Sequence, residues 1–263
     1  RTPEALPAQI MKQQRTQPIE VNFNAATGYG QFQDIQVPIN ELTGLRPDGS
    51  PAVKEVSTHN GFPLQGSLGL TYQFTGGYAD AMVEYTKMWA LTGSESAPAA
   101  SLTRFATETG ITYGLANWSW RPFVSAHTGF RRTGFYNISS GHYYDAVRAK
   151  LGLGIETLRG FRIFGYYSQS PYTKFHYDGG SGVEEGELKE STIDLTTVGG
   201  KLSFHLYRRT WFDFHYEREA AQVSIPNIGS YEQFGLNVLP SRNPSRVYNL
   251  ETTLITAGFR KAF

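Results

Sequence analysis

The last stretch of the chain, residues 246–263 (RVYNLETTLITAGFRKAF), alternates with a period of two. Ile255, Ala257, Phe259 and Phe263 share one parity, and Thr252, Thr256, Gly258 and Arg260 share the other. Successive side chains of a strand point to opposite faces, so the pattern predicts a strand with one apolar face and one polar or small face. It is far longer than the five or six residues usual in a soluble sheet. Such a strand, ending on an aromatic residue, suits an oblique crossing of a hydrocarbon layer with the aromatic at one interface.

The same period recurs upstream. In residues 62–74, Phe62, Leu64, Leu68, Leu70, Tyr72 and Phe74 alternate with Gln65, Ser67, Gly69, Thr71 and Gln73. Residues 78–91 set Ala79, Ala81, Val83, Tyr85, Trp89 and Leu91 against Asp80, Glu84 and Thr86; Lys87 falls on the apolar side, where near the end of a span it can snorkel. Phe105, Ile111, Tyr113 and Leu115 oppose Glu108, Gly110, Thr112 and Gly114. Trp120, Val124, Ala126 and Phe130 oppose Arg121, Ser125, His127 and Arg131. Val147, Ala149, Leu151, Leu153 and Ile155 oppose Arg148, Lys150, Gly152, Gly154 and Glu156. A seventh strand over 161–177 has Phe161, Ile163 and Tyr167 against Arg162 and Ser168, with a bulge or end of pairing predicted at Pro171. Val198, Leu202, Phe204 and Leu206 then face away from Lys201, Ser203 and His205, and Phe212, Phe214 and Tyr216 from Asp213, His215 and Glu217. Residues 18–37 alternate poorly, and Gly28 and Gly30 predict a bend or bulge there.

About ten strands result, and their connections alternate in length. Those at 76, 118, 159 and 208 are tight; those at 38–61, 92–101, 137–142, 178–190 and 226–245 are longer. Greek-key connections would not sort in this way. The expected fold is all-β, a single antiparallel transmembrane β-barrel over residues 18–263, with both termini on the short-turn side. Residues 1–17 are polar and lack the two-residue period; they are expected to be a loose periplasmic leader, the alternative being a segment that enters the barrel or docks on a partner.

Composition fits this picture. Of 263 residues 14% are aromatic, yet the mean hydropathy is −0.37, as expected when only half of each strand faces lipid. No run approaches the roughly 20 apolar residues of a spanning helix. A net charge of +1 gives no support for nucleic acid as a partner, and with no cysteine there are no disulfides or thiolate metal sites. The first residues lack a basic-then-apolar export signal, and the chain is read as a mature form.

With its full-length last strand ending on Phe263 and its alternating connection lengths, the sequence resembles the Gram-negative outer-membrane β-barrel superfamily over roughly residues 18–263. The resemblance implies the bacterial outer membrane as location and insertion by an assembly machinery that reads the last strand, with Phe263 and Phe259 as its signal. It also implies outer-membrane lipids, including lipopolysaccharide, as neighbours. Lys261 departs from the pattern, since the class usually has an apolar or aromatic residue there.

On the inward parity lie Asp80, Glu84, Glu108, Arg121, His127, Arg131, Arg148, Lys150, Glu156, Arg162, Lys201, His205, Asp213, His215 and Glu217. About ten strands enclose a space only slightly wider than side chains fill, and unpaired charge there is costly. A network of paired charges that plugs the lumen is therefore expected. Arg131, Arg148 and Lys150 should form a basic patch facing the acids of the third, fourth and ninth strands. Tyr143, Tyr144, Tyr166, Tyr167, Tyr172 and Tyr177 are expected as an interfacial girdle.

Non-enzymatic use as a scaffold or accessory subunit, with a protein partner held by loops, wall or leader, is the leading expectation; a narrow ion or solute channel is the alternative. A third is a rim hydrolase of the omptin or lipid A deacylase kind, for which His142 with Asp145 and His176 with Asp178 are the candidate pairs, although neither family's motif surrounds them. Glu184, Glu185 and Glu187 are read as a solvated loop that could instead hold divalent cations against lipopolysaccharide. His205 and His215 could be neighbours across a hairpin, but no metal-ligand spacing or cofactor motif is present, and neither metal nor cofactor is expected.

Overall fold

The computed structural model describes residues 19–36, 55–91, 100–116, 119–136, 141–157, 160–178, 186–187, 192–225 and 246–263. Ten long strands carry the architecture. They are β1 (Ile19–Gln36), β2 (Glu55–Phe74), β3 (Gly77–Ala90), β4 (Ser101–Gly114), β5 (Trp120–Tyr136), β6 (Gly141–Thr157), β7 (Phe161–Asp178), β8 (Thr192–Tyr207), β9 (Thr210–Ile225) and β10 (Arg246–Ala262). A two-residue segment, Gly186–Glu187, adds to the end of β7.

Every neighbour in sequence is an antiparallel neighbour in space, and β1 pairs with β10 to close the sheet. Closure follows from backbone chemistry: an open edge in hydrocarbon would leave a row of amides and carbonyls without partners. Asn22 pairs with Ala262, Ile19 with Tyr72 and Phe74 with Gly77. The start of β1 and the end of β10 therefore lie on the short-turn rim.

The parity assignment holds around the wall. Phe62, Leu64, Leu68, Leu70 and Tyr72 on β2, Leu151 and Leu153 on β6, and Phe259 on β10 are each more than half exposed, while their immediate neighbours turn inward. Across β1, exposure alternates residue by residue although the sequence pattern there is poor. No bulge falls at Gly28 and Gly30: both strands flanking β1 keep one register across them, although the pairing with β2 skips Gly28 and Tyr29. These glycines serve close approach instead. A Cβ on Gly28 would sit 1.9 Å from the carbonyl oxygen of Ile255, and one on Gly30 would meet Met88 Sδ at 2.3 Å. At Pro171 a register shift does fall, opposite Arg148.

Strand boundaries differ from the sequence reading at several places, two of them the starts of β2 and β6. β2 begins at Glu55 and β6 at Gly141, inside stretches read as loops. Beyond the apolar belt both faces of a strand can be polar, so backbone pairing continues where alternation no longer marks it. The tyrosine girdle also needs correction. Tyr167 and Tyr172 face outward, but Tyr144 and Tyr166 are buried in the lumen at 2% and 8% exposure. Consecutive residues such as 143–144 and 166–167 cannot both face lipid on a regular strand. The side chain of Tyr177 lies outside the described residues, as do residues 1–17 and the side chains of Glu184, Glu185 and Glu187.

The outward position of Leu68 gives a direct test. Leu68→Arg, in the middle of the belt, should destabilise the barrel by about 2–4 kcal/mol, whereas Leu91→Arg at the long-loop end should cost about 0–1 kcal/mol. Urea titrations of folding into lipid vesicles would measure both.

Candidate functional site in the barrel lumen

The inward faces meet in a layered interior. Toward the long-loop end, Phe32, Met88, Leu102, Phe135, Leu195, Val223 and Leu250 pack together with almost no exposure. The rings of Phe32 and Phe135 lie 5.8 Å apart, and Phe135 sits 6.0 Å from Tyr144. This apolar layer departs from the expectation of a purely charged filling. Leu250 and Leu254 stand on the otherwise polar parity of β10, and that parity is inward all the same. Once a lumen is packed, water no longer sets which residues suit it.

Below this layer lies a charge cluster that spans the barrel. Arg104 on β4 and Glu217 and Glu219 on β9 come from opposite walls, five strands apart in the ring. Arg104 donates to Glu217 at 2.7 Å and to Glu219 at 3.1 Å. Arg131 on β5 donates to the same two carboxylates at 2.8 and 2.7 Å. The Tyr144 hydroxyl donates to Glu219 at 2.5 Å and that of Tyr166 to Glu217 at 2.7 Å. Arg148 completes the cluster, 4.0 Å from Glu217 and within 3.2 Å of the Ser168 hydroxyl. Two carboxylates on alternate residues of one strand would repel if left alone, and the two guanidiniums shared between them offset that repulsion.

Nearer the short turns the interior divides into smaller groups. Lys150 pairs with Glu108, and His127 with Asp80 at 3.2 Å. His215 Nε2 lies 2.9 Å from the Tyr166 hydroxyl. Asp213 accepts from Lys201 at 2.7 Å and from Arg260 at 3.0 Å. Arg162 reaches from β7 to the Tyr78 hydroxyl on β3, its guanidinium 4.3 Å from the Phe123 ring centroid. Arg121 and Arg162 flank Glu156 in the strand ladder, and Glu84 is half-buried on β3.

The basic patch drawn from β5 and β6 is thus divided: Arg131 and Arg148 join Glu217, while Lys150 turns to Glu108. Arg104, Glu219 and Tyr78 belong to these groups without having been singled out from the sequence, and Tyr144 and Tyr166 belong to them although they were expected in the girdle. The signal was present for all five, since Arg104 shares the parity of Glu108, Glu219 that of Glu217, Tyr78 that of Asp80, Tyr144 that of Arg148 and Tyr166 that of Ser168. His205 and His215 are not hairpin neighbours. His205 pairs with Trp211, rings 4.8 Å apart, and His215 pairs with Lys201.

Asp145 and His176, one from each rim pair considered for hydrolysis, stand on the outer wall. Asp145 accepts two bonds from Arg132, at 2.6 and 2.7 Å, and lies 4.0 Å from His176 Nε2. His176 stacks on Tyr143 with ring centroids 4.5 Å apart. The side chains of His142 and Asp178 fall outside the described residues. Lys87 donates to Ser101 and Thr103 at 3.1 and 2.9 Å, so its ammonium stays along the polar edge of the wall. Among the described residues no group of three or more His, Asp or Glu is placed to hold a metal ion.

No protein-family model matches the chain, and no curated protein matches it. Among solved structures it is similar to the outer-membrane protease OmpT of Escherichia coli, at 12% identity and TM-score 0.53 over 94% of this chain and 97% of that one. The translocator domain of the autotransporter NalP from Neisseria meningitidis is matched at 9% identity and TM-score 0.44, over 98% and 97% of the two chains. Neisserial surface protein A is matched at 11% identity and TM-score 0.38, over 94% and 98%. The chain has the outer-membrane β-barrel fold, as a closed ten-stranded antiparallel barrel.

Removing one member of the cross-lumen cluster should be costly because it strands buried charge. Arg131→Ala should destabilise the barrel by about 3–5 kcal/mol. The fivefold replacement Arg104→Met, Arg131→Met, Arg148→Met, Glu217→Gln, Glu219→Gln, which leaves no charge of the cluster behind, should cost less than that single change. Denaturant unfolding in detergent micelles would compare them.

Proposed function

We propose that this protein is a non-enzymatic scaffold or accessory subunit of the bacterial outer membrane, with a lumen that side chains close. The observation that carries this reading is the Arg104–Glu217/Glu219–Arg131 cluster. Its members come from opposite walls, all are under 5% exposed, and an apolar layer packs above them. A conducting pore requires a continuous wet path, and guanidiniums bonded across the full width leave little room for one. Catalysis on the rim would require an Asp free to orient a His, and Asp145 is instead held by Arg132. A barrel with a filled interior has its wall and its long-loop rim left for contact, and a protein partner at these surfaces accounts best for its use.

Planar-bilayer recording tests the closed lumen. The purified protein, inserted at high salt, should give no discrete conductance steps. Stable, reproducible unitary currents would sink the reading in favour of a narrow channel.

A further inference from the structure

The tight turn between β8 and β9 is built from two arginines, Arg208 and Arg209, with φ of 39° and 59°. Positive φ at both central residues is the geometry that hairpins meet with Asn-Gly, because a Cβ crowds the backbone in the left-handed region. Two other tight turns on this rim follow the usual solution, placing Gly76 at φ 91° and Gly160 at φ 77°. Here the strain is carried by two residues whose long charged side chains the turn itself does not need. Strain of this kind is kept where the side chain has a use.

What surrounds the turn indicates that use. Arg208 is exposed, and its guanidinium lies 5.0 Å from the ring centroid of Tyr207, itself 64% exposed. The carbonyl of Arg209 accepts from the amide of Ala262 at 3.0 Å, which ties the turn to the end of β10. Beside it, on the outward parity and opposite Thr210, stands Lys261, with its ammonium 5.7 Å from the ring of Phe263. Among the described residues no carboxylate side chain forms an ion pair with any of the three. Three cations and two exposed aromatics thus lie on one turn and the strand end paired with it, at the border where the apolar wall ends.

We propose that Arg208, Arg209 and Lys261 form a binding site for the phosphate of an anionic glycerophospholipid in the leaflet at the short-turn rim. A guanidinium presents a fork of donors that matches phosphate oxygens, and Tyr207 and Phe263 lie where headgroup meets acyl chain. Lys261, which departs from the usual end of a last strand, thereby acquires a role. The site is independent of whether the lumen conducts.

The test uses the whole protein folded into phosphatidylcholine vesicles containing a minor fraction of brominated phosphatidylglycerol, whose quenching of tryptophan fluorescence reports lipid contact. Trp211 faces the lumen beside His205, so every form, that with the wild-type turn included, carries Leu206→Trp as the reporter on the outward face next to the turn, with the native tryptophans changed to phenylalanine. Each surface cation contributes roughly fivefold to anionic-lipid preference, so the wild-type protein should favour phosphatidylglycerol over brominated phosphatidylcholine by at least that factor. The double variant Arg208→Asn, Arg209→Gly suits the turn and should fold with a higher urea midpoint while its preference falls toward onefold. Arg208→Lys with Arg209→Lys should keep most of the preference, and Lys261→Gln should lower it. Equal quenching by the two lipids in the wild-type protein, or a wild-type preference in the Asn-Gly variant, would overturn the proposal.

Discussion

A chain in hydrocarbon has no water to satisfy its amides, so every backbone donor and acceptor in the span must find a partner within the protein. The unbroken ring of antiparallel ladders, closed by β1 and β10, answers that requirement. Once the ring is closed the two faces of each strand lose all freedom of choice. One parity meets acyl chains and the other meets the opposite wall. The exposure of Leu68, Leu70 and Leu153 beside the burial of Gln65 and Ser125 follows from this alone.

The second constraint comes from width. Ten strands enclose a space that long side chains can bridge, so residues facing each other across the ring meet directly. Arg104 reaches Glu217 and Glu219 from the far wall, and Arg162 reaches Tyr78. The glycines of the inward face take part in the same packing. Gly199 leaves room for the ring of Tyr166, whose hydroxyl would lie 2.3 Å from a Cβ placed there. An interior assembled this way is specific, because each charge depends on partners brought by different strands. Removing one leaves others buried without compensation.

The outer surface is graded along the barrel axis. Apolar side chains fill the middle of the wall, and a polar band begins at Lys87, Arg132 with Asp145, and Arg218 with Glu251. At the opposite rim Tyr207, Phe263, the two turn arginines and Lys261 mark the other border. The backbone is strained at this one described non-glycine turn, at a point where positive charge adjoins aromatic rings.

The sequence by itself determined the class of fold, the number of strands, the sorting of short and long connections, and the face of each regular strand. These are local properties, written in a period of two and in turn residues, and they need no knowledge of distant contacts. It also placed most of the inward charges on the correct parity. Only the tertiary structure decided which of them meet, since Arg104 and Glu219 are 115 residues apart. The same holds for the apolar layer: Leu102 and Leu250 read as exceptions to a polar face until the opposing walls are brought together. Closure likewise decided that Gly30 makes room for Met88 and that Tyr144 and Tyr166 reach Glu219 and Glu217, because sequence periodicity describes one strand and packing is a relation among several.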